Sequence, residues 1–199
     1  MQLKKLLPFS IILILVNYCG TVPDVHYYLI DYLYKPVNVK NAKHQVVLGL
    51  EKFTTDPLYE SDRIVYRDSP YEAKFYNYHR WITSPTRIVT GKVIEQFSTS
   101  GAFKQVVSFP HVSNVDYLVR GTIKAFEEWD EDDEWYAHVK LHFELVKVDH
   151  NTLLWQDILM KKTKVVQKNP IELVRSLSIS LQACIEEAIE KIDYTLSQY

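Results

Sequence analysis

The sequence predicts an α/β domain of the α+β kind: a mixed, mostly antiparallel sheet with two helices packed on one face. Three observations carry this. Two stretches alternate apolar and polar residues with a period of two, Tyr117 to Ala125 and Ala137 to Leu145, as half-buried antiparallel strands do. Two segments open with a capping residue followed by proline, Ser84-Pro85 and Asn169-Pro170, and continue at helical spacing. The predicted order is β, β, β, β, α, β, β, β, β, α, with no repeat and no composition break.

Tyr27 to Leu33 (YYLIDYL) is an aromatic-rich run suited to a first strand. Gln45 to Phe53 is a second. Thr54 to Asp62, with Asp56-Pro57, reads as a loop. Arg63 to Arg67 and Glu72 to Tyr78 form a hairpin about the turn residues Asp68, Ser69 and Pro70. The first helix runs from Pro85, with Ile88, Val89, Val93, Ile94 and Phe97 on one face, and stops at Gly101. Lys104 to Phe109 is a short strand. Between the two alternating strands lies Glu127 to Glu134, with seven carboxylates in eight positions, expected to be a solvated hairpin tip. Thr152 to Val166 returns as a strand carrying Trp155. In the last helix Val174, Leu177, Leu181, Ile185 and Ile189 share one stripe, which predicts that it lies across the sheet. The other sheet face, lined by alternating polar residues, is left to water or a partner.

The chain has 199 residues, 47% apolar and 24% charged, with a net charge of −2. That balance creates no field to attract nucleic acid. Five glycines leave little room for a phosphate-binding loop. Lys4 and Lys5 precede an apolar run of 11 residues, Leu6 to Val16. A helix of that length rises about 16 Å, short of a bilayer core of about 30 Å. Residues 1–18 therefore read as a signal peptide, residues 19–26 as a lipidated Cys19 and a tether, and 27–199 as the folded domain. Val16 suits a lipoprotein processing site, whereas Tyr18 stands where a small residue is usual, so cleavage without acylation is the alternative. Gly20, where an aspartate would favour inner-membrane retention, points to the outer membrane.

No chemistry-bearing constellation emerges. There is no G-x-S-x-G, no zinc spacing and no dinucleotide or phosphate fingerprint. Cys184 falls on the packing stripe of the last helix. His138 and His142 are four apart on a strand, hence about 13 Å apart and too distant to share one metal ion. The acidic run lacks an EF-hand pattern. The expectation is no catalytic residue, no metal and no cofactor.

Several segments resemble, in order, a known family. They are Tyr28-Leu29-Ile30; Arg63 to Arg67 with Tyr76 and Tyr78-His79-Arg80-Trp81; Pro85; Ser100-Gly101-Ala102-Phe103; Tyr117 to Gly121 with Phe126; and Leu154-Trp155. Together they resemble the ABC-type transport auxiliary lipoproteins, which include the third component of the paraquat-inducible (Pqi) system. The resemblance implies a non-enzymatic, membrane-anchored protein of the Gram-negative periplasm. It would partner an ABC transporter and a mammalian-cell-entry (MCE) domain protein in moving lipids between membranes, with self-association left open. Arg80 and Trp81 admit two readings: a buried Trp81 anchoring the helix start with Arg80 paired nearby, or a partner-facing hot spot, since Trp and Arg dominate such sites. With Arg67 and Tyr78 of the same block they form the candidate partner-binding set. The competing class is an envelope lipid-binding or hydrolytic protein with its own apolar cavity.

Overall fold

A computed structural model describes residues 23–34, 42–111 and 114–198. The expected signal peptide and Cys19 lie outside the described residues. The elements are β1 (His26–Tyr28), β2 (His44–Leu50), β3 (Thr54–Thr55), β4 (Arg63–Ser69), β5 (Glu72–Trp81), α1 (Pro85–Thr99), β6 (Phe103–Ser108), β7 (Tyr117–Glu131), β8 (Glu134–Lys147), β9 (Thr152–Lys164) and α2 (Pro170–Leu196). The predicted order holds, with two additions inside the expected Thr54 to Asp62 loop: the two-residue β3 and a 3-10 turn at Pro57–Tyr59. The first strand is shorter than expected and begins inside the expected tether, because His26 already pairs with His79.

β7 organises the sheet. One of its edges pairs antiparallel with β8 along its whole length, and β8 pairs antiparallel with β9. Its other edge is shared end to end by β2, β3 and β4, each parallel to it. β6 extends the sheet beyond β2, and β5 then β1 extend it beyond β4. The long ladders are antiparallel and the short ones mostly parallel, giving the mixed sheet the alternation predicts.

Both helices lie on one face. Asn169 caps α2 by accepting a hydrogen bond from the Glu172 amide at 3.0 Å. Ser84 precedes Pro85 in the N-cap position of α1, but its hydroxyl bonds to Thr86 instead of a backbone amide. Gly101, just past α1, has φ 74°, the left-handed conformation that glycine adopts without strain. The predicted stripe of α2 is buried: Leu177, Leu181 and Ile185 are fully covered and Val174 and Ile189 nearly so. Each such side chain contributes about 1.5–3 kcal/mol on removal from water. They meet Val139, Leu141, Phe143 and Leu145 in one core cluster. Lys161 and Lys191 tie β9 to α2 through Glu187 and Asp157, at 2.8 and 2.5 Å.

Gly121 is required by a close approach. The Phe53 ring, which meets Phe143 edge-on at 5.4 Å, crosses over it, and a Cβ at Gly121 would fall 2.2 Å from two ring atoms. Gly121→Ala is therefore expected to lower stability by about 1–3 kcal/mol through overpacking, measured by urea denaturation. An unchanged midpoint would contradict the packing. Leu181→Asp should abolish the cooperative thermal transition, since it buries an unpaired charge against β8; a parental Tm would refute the placement of α2.

Candidate functional site: the outer face of the sheet

The face away from the helices is built in rows set by register. Arg120, Glu144 and Gln156 align across β7, β8 and β9, as do Thr122, His142 and Ile158. Lys140 pairs with Met160, and Glu127, His138 and Lys162 form the next row. Arg120 Nε donates to Glu51 at 3.0 Å, and Lys162 bonds Glu131. Among these polar rows Ile158 and Met160 stand 49% and 55% exposed on edge strand β9. Large bare apolar side chains on a charged face are a feature of protein-contact surfaces.

At one end the outer face closes over a carboxylate. Glu127 is 0% exposed. Arg67 grips it with two bonds, Nε to Oε2 at 2.8 Å and a terminal nitrogen to Oε1 at 2.6 Å. The Tyr59 hydroxyl donates to Oε2 at 2.6 Å, and His138 Nδ1 lies 3.2 Å from Oε1. Burial alone would raise the carboxyl; hydrogen bonds from His138, Arg67 and Tyr59 outweigh it and hold Glu127 below its usual range. An ionised carboxylate only accepts, so His138 Nδ1 carries the proton. The Arg67 guanidinium also lies 5.1 Å from the Trp129 ring centre. This network binds the 3-10 turn, β4, β7 and β8 together.

Glu128 points the other way. It is 1% exposed, accepts one hydrogen bond, from Tyr76 at 2.8 Å, and feels the negative charge of Asp130 two residues along the strand. Its Oε1 and Asp130 Oδ1 have no donor. Burial and the Asp130 charge push Glu128 up to about 8, against the Tyr76 hydrogen bond, and burial raises the Asp130 carboxyl as well. The expectation of a solvated tip over Glu127 to Glu134 is thus corrected. Glu127 and Glu128 are strand residues inside the protein, and only Asp132 and Asp133, with φ of 51° and 59°, form the turn.

The expected partner-binding residues separate. Trp81 is 0% exposed and packs on Phe126 with ring centres 5.2 Å apart, so it supports the sheet and offers nothing to a partner. Arg67 is committed to Glu127. Tyr78 and Arg80 remain at the surface, Arg80 in a long contact with Asp62 at 3.3 Å. The bare Tyr27, Leu29 and Ile82 beside them were not singled out by the sequence, although alternation within YYLIDYL carries the signal.

Two open clefts among the described residues have mostly polar linings. One of 700 Å³ is lined by Lys52, Thr54, Thr55, Glu60, Thr86 and Arg87 among others, and one of 560 Å³ by Asp68, Asp130, Asp132, Asp133 and Lys168 with two tryptophans. Neither is the enclosed apolar chamber that an acyl chain needs. Cys184 is buried near the Val139 carbonyl, and burial pushes its thiol up to about 12, far from a nucleophile's range. Among the described residues no cluster of three or more His, Cys, Asp or Glu is placed to hold a metal ion, and no helix is long and apolar enough to cross a membrane.

A forked mixed sheet, helices on one face and a polar outer face with bare apolar side chains along its edges define an α+β domain. The chain belongs to the family described as the ABC-type transport auxiliary lipoprotein component, whose model matches residues 28–188. Among solved structures it is similar to a Xanthomonas campestris protein, with 16% identity, TM-score 0.79, and coverage of 87% of this chain and 98% of that one. It is also similar to a hypothetical protein from Chlamydia trachomatis, with 7% identity, TM-score 0.55, and coverage of 78% and 100%. At these identities the likeness concerns the fold. No curated protein matches the chain.

The two buried carboxylates have opposite pH signatures. Glu127, held low, contributes stability above the carboxylate range that is lost as pH falls through its depressed folded value. Glu128 contributes stability below its ordinary 4.5 that is lost as pH rises toward about 8. Glu127→Gln should cost about 3 kcal/mol at pH 7 by stranding Arg67, with the deficit shrinking in acid. Glu128→Gln supplies an amide donor beside Asp130 and should raise Tm at pH 9, with the gain vanishing near pH 5. Melting curves from pH 2 to 9 check both; displacements independent of pH over that range would contradict the assignments.

Proposed function

We propose that the protein is a membrane-anchored, periplasm-facing auxiliary lipoprotein that acts by protein contact and has no catalytic centre. Its partners are an ABC transporter and an MCE-domain protein that move lipid, and its anchor is an acylated Cys19 in the outer membrane. The family match over residues 28–188 carries this reading. The outer sheet face supplies the contact surface: polar rows give register, Ile158 and Met160 give apolar anchors, and Tyr78 and Arg80 extend the surface across β5. The open, polar clefts favour this over a carrier or hydrolase with its own lipid cavity. Self-association through the same face is compatible with the reading.

Affinity capture of the full chain from detergent-solubilised envelopes, read by mass spectrometry, should recover the permease, the ATPase or an MCE-domain protein. Intact-mass measurement of the same material should show loss of residues 1–18 and acyl mass on Cys19. Recovery of no transporter component, with turnover of a lipid ester by the purified protein, would overturn the proposal in favour of an enzyme.

A further inference from the structure

Edge strand β1 carries a bare apolar strip. Val25, Tyr27 and Leu29 alternate on the outer side, 41%, 58% and 59% exposed, while Ile30 is buried and the Tyr28 hydroxyl meets His79 Nδ1 at 2.9 Å. Tyr27 is in register with Arg80, and the Ile82 amide donates to the Tyr28 carbonyl at 2.8 Å. That brings Ile82, 61% exposed, alongside Leu29. Four apolar side chains therefore run together along the outer edge of β1, which pairs with no further strand among the described residues, with Tyr78 and Arg80 one strand further in. A contiguous strip on an unpaired edge is a surface that soluble proteins usually cover.

The chain itself says what lies near it. Only residues 20–24 separate Cys19 from Val25, and at full extension that stretch of backbone reaches about 20 Å. An acyl group on Cys19 would hold the strip within that distance of a bilayer surface. Tyrosine flanked by aliphatic side chains is the composition of the membrane–water boundary. We propose that this strip docks on the headgroup–acyl boundary of the membrane that holds the anchor, turning a flexible tether into a fixed orientation. The inference rests on the reading of Cys19 as acylated. The strip's own side chains are uncharged, and loss of residues 1–18 with Lys4 and Lys5 takes the net charge from −2 to −4, so apolar burial drives the docking and salt does not weaken it. With β1 against the lipid, the rows on β7, β8 and β9 begin three strands further along the sheet, clear of the lipid contact and within reach of a partner.

The test uses the full acylated chain reconstituted into phosphatidylethanolamine–phosphatidylglycerol vesicles. An environment-sensitive fluorophore is placed at Ile82→Cys or, as a distant control, at Leu153→Cys; Cys184 is buried and does not label. Lipids with a nitroxide at a shallow acyl position should remove most of the emission from position 82, in low and in high salt alike, and leave position 153 bright. A chain that floats with the vesicles while position 82 stays bright overturns the docking and leaves the anchor intact. A chain without acyl mass that fails to float overturns the anchor reading and the docking with it. Shielding of position 82 from aqueous iodide only when a transporter protein is added assigns the strip to that protein and overturns the lipid proposal.

Discussion

β7 satisfies both of its edges in different ways, and the rest of the fold follows. Its pairing with β8 is local, a two-residue hairpin, and forms a continuous ladder. Its second edge is filled by β2, β3 and β4 in chain order, so the segment from His44 to Ser69 is laid along it like a single strand broken twice. Broken pairing of this kind needs fixed points. Gly121 provides one by letting Phe53 cross the strand at the first break. Glu127 provides the other: with Arg67 on β4 and Tyr59 from the 3-10 turn on its oxygens, the buried carboxylate joins the segment after the second break to the long hairpin.

Much of this was legible in the sequence. Period-two runs placed β7 and β8, the Pro-initiated apolar stripes placed both helices, and polar alternation on the strands identified the outer face. The acidic run was misread for a specific reason. Between Ile123 and Ala125 the β7–β8 register shifts by one residue. Beyond that irregularity Phe126, Glu128 and Asp130 turn to the helix side, and Glu127 and Trp129 turn outward. The break is written as adjacent apolar residues, Ala125-Phe126, but a run of seven carboxylates ordinarily means solvent, and nothing local reveals that Arg67 and Tyr59, some 60 residues earlier, arrive to cover one of them. Trp81 poses the converse problem: sequence alone left both burial and exposure open, and its full burial against Phe126 decides it.

The division of the surface follows from the same architecture. The helix layer covers one face, so the polar strand rows lie on the other. Two of its rows across β7, β8 and β9 set opposite charges together, Arg120 with Glu144 and Glu127 with Lys162, and Ile158 and Met160 stand bare among them. The opposite edge, β1, lies next to the point where the chain leaves the domain toward Cys19. On the proposed reading, a protein anchored at that point would set its β1 edge on the lipid and leave the rows on β7, β8 and β9, three or more strands away, to a partner. This suits an auxiliary subunit that contributes position and contact.

The central claim is that the outer face is the working surface. Site-specific photo-crosslinking in intact envelopes tests it most directly, with a photoreactive amino acid at Met160 on the outer face or at Ile179 on the exposed side of α2. The account predicts an adduct between position 160 and a component of the transporter, and none from position 179. Adducts from position 179 alone would place the working surface on the helices and contradict it.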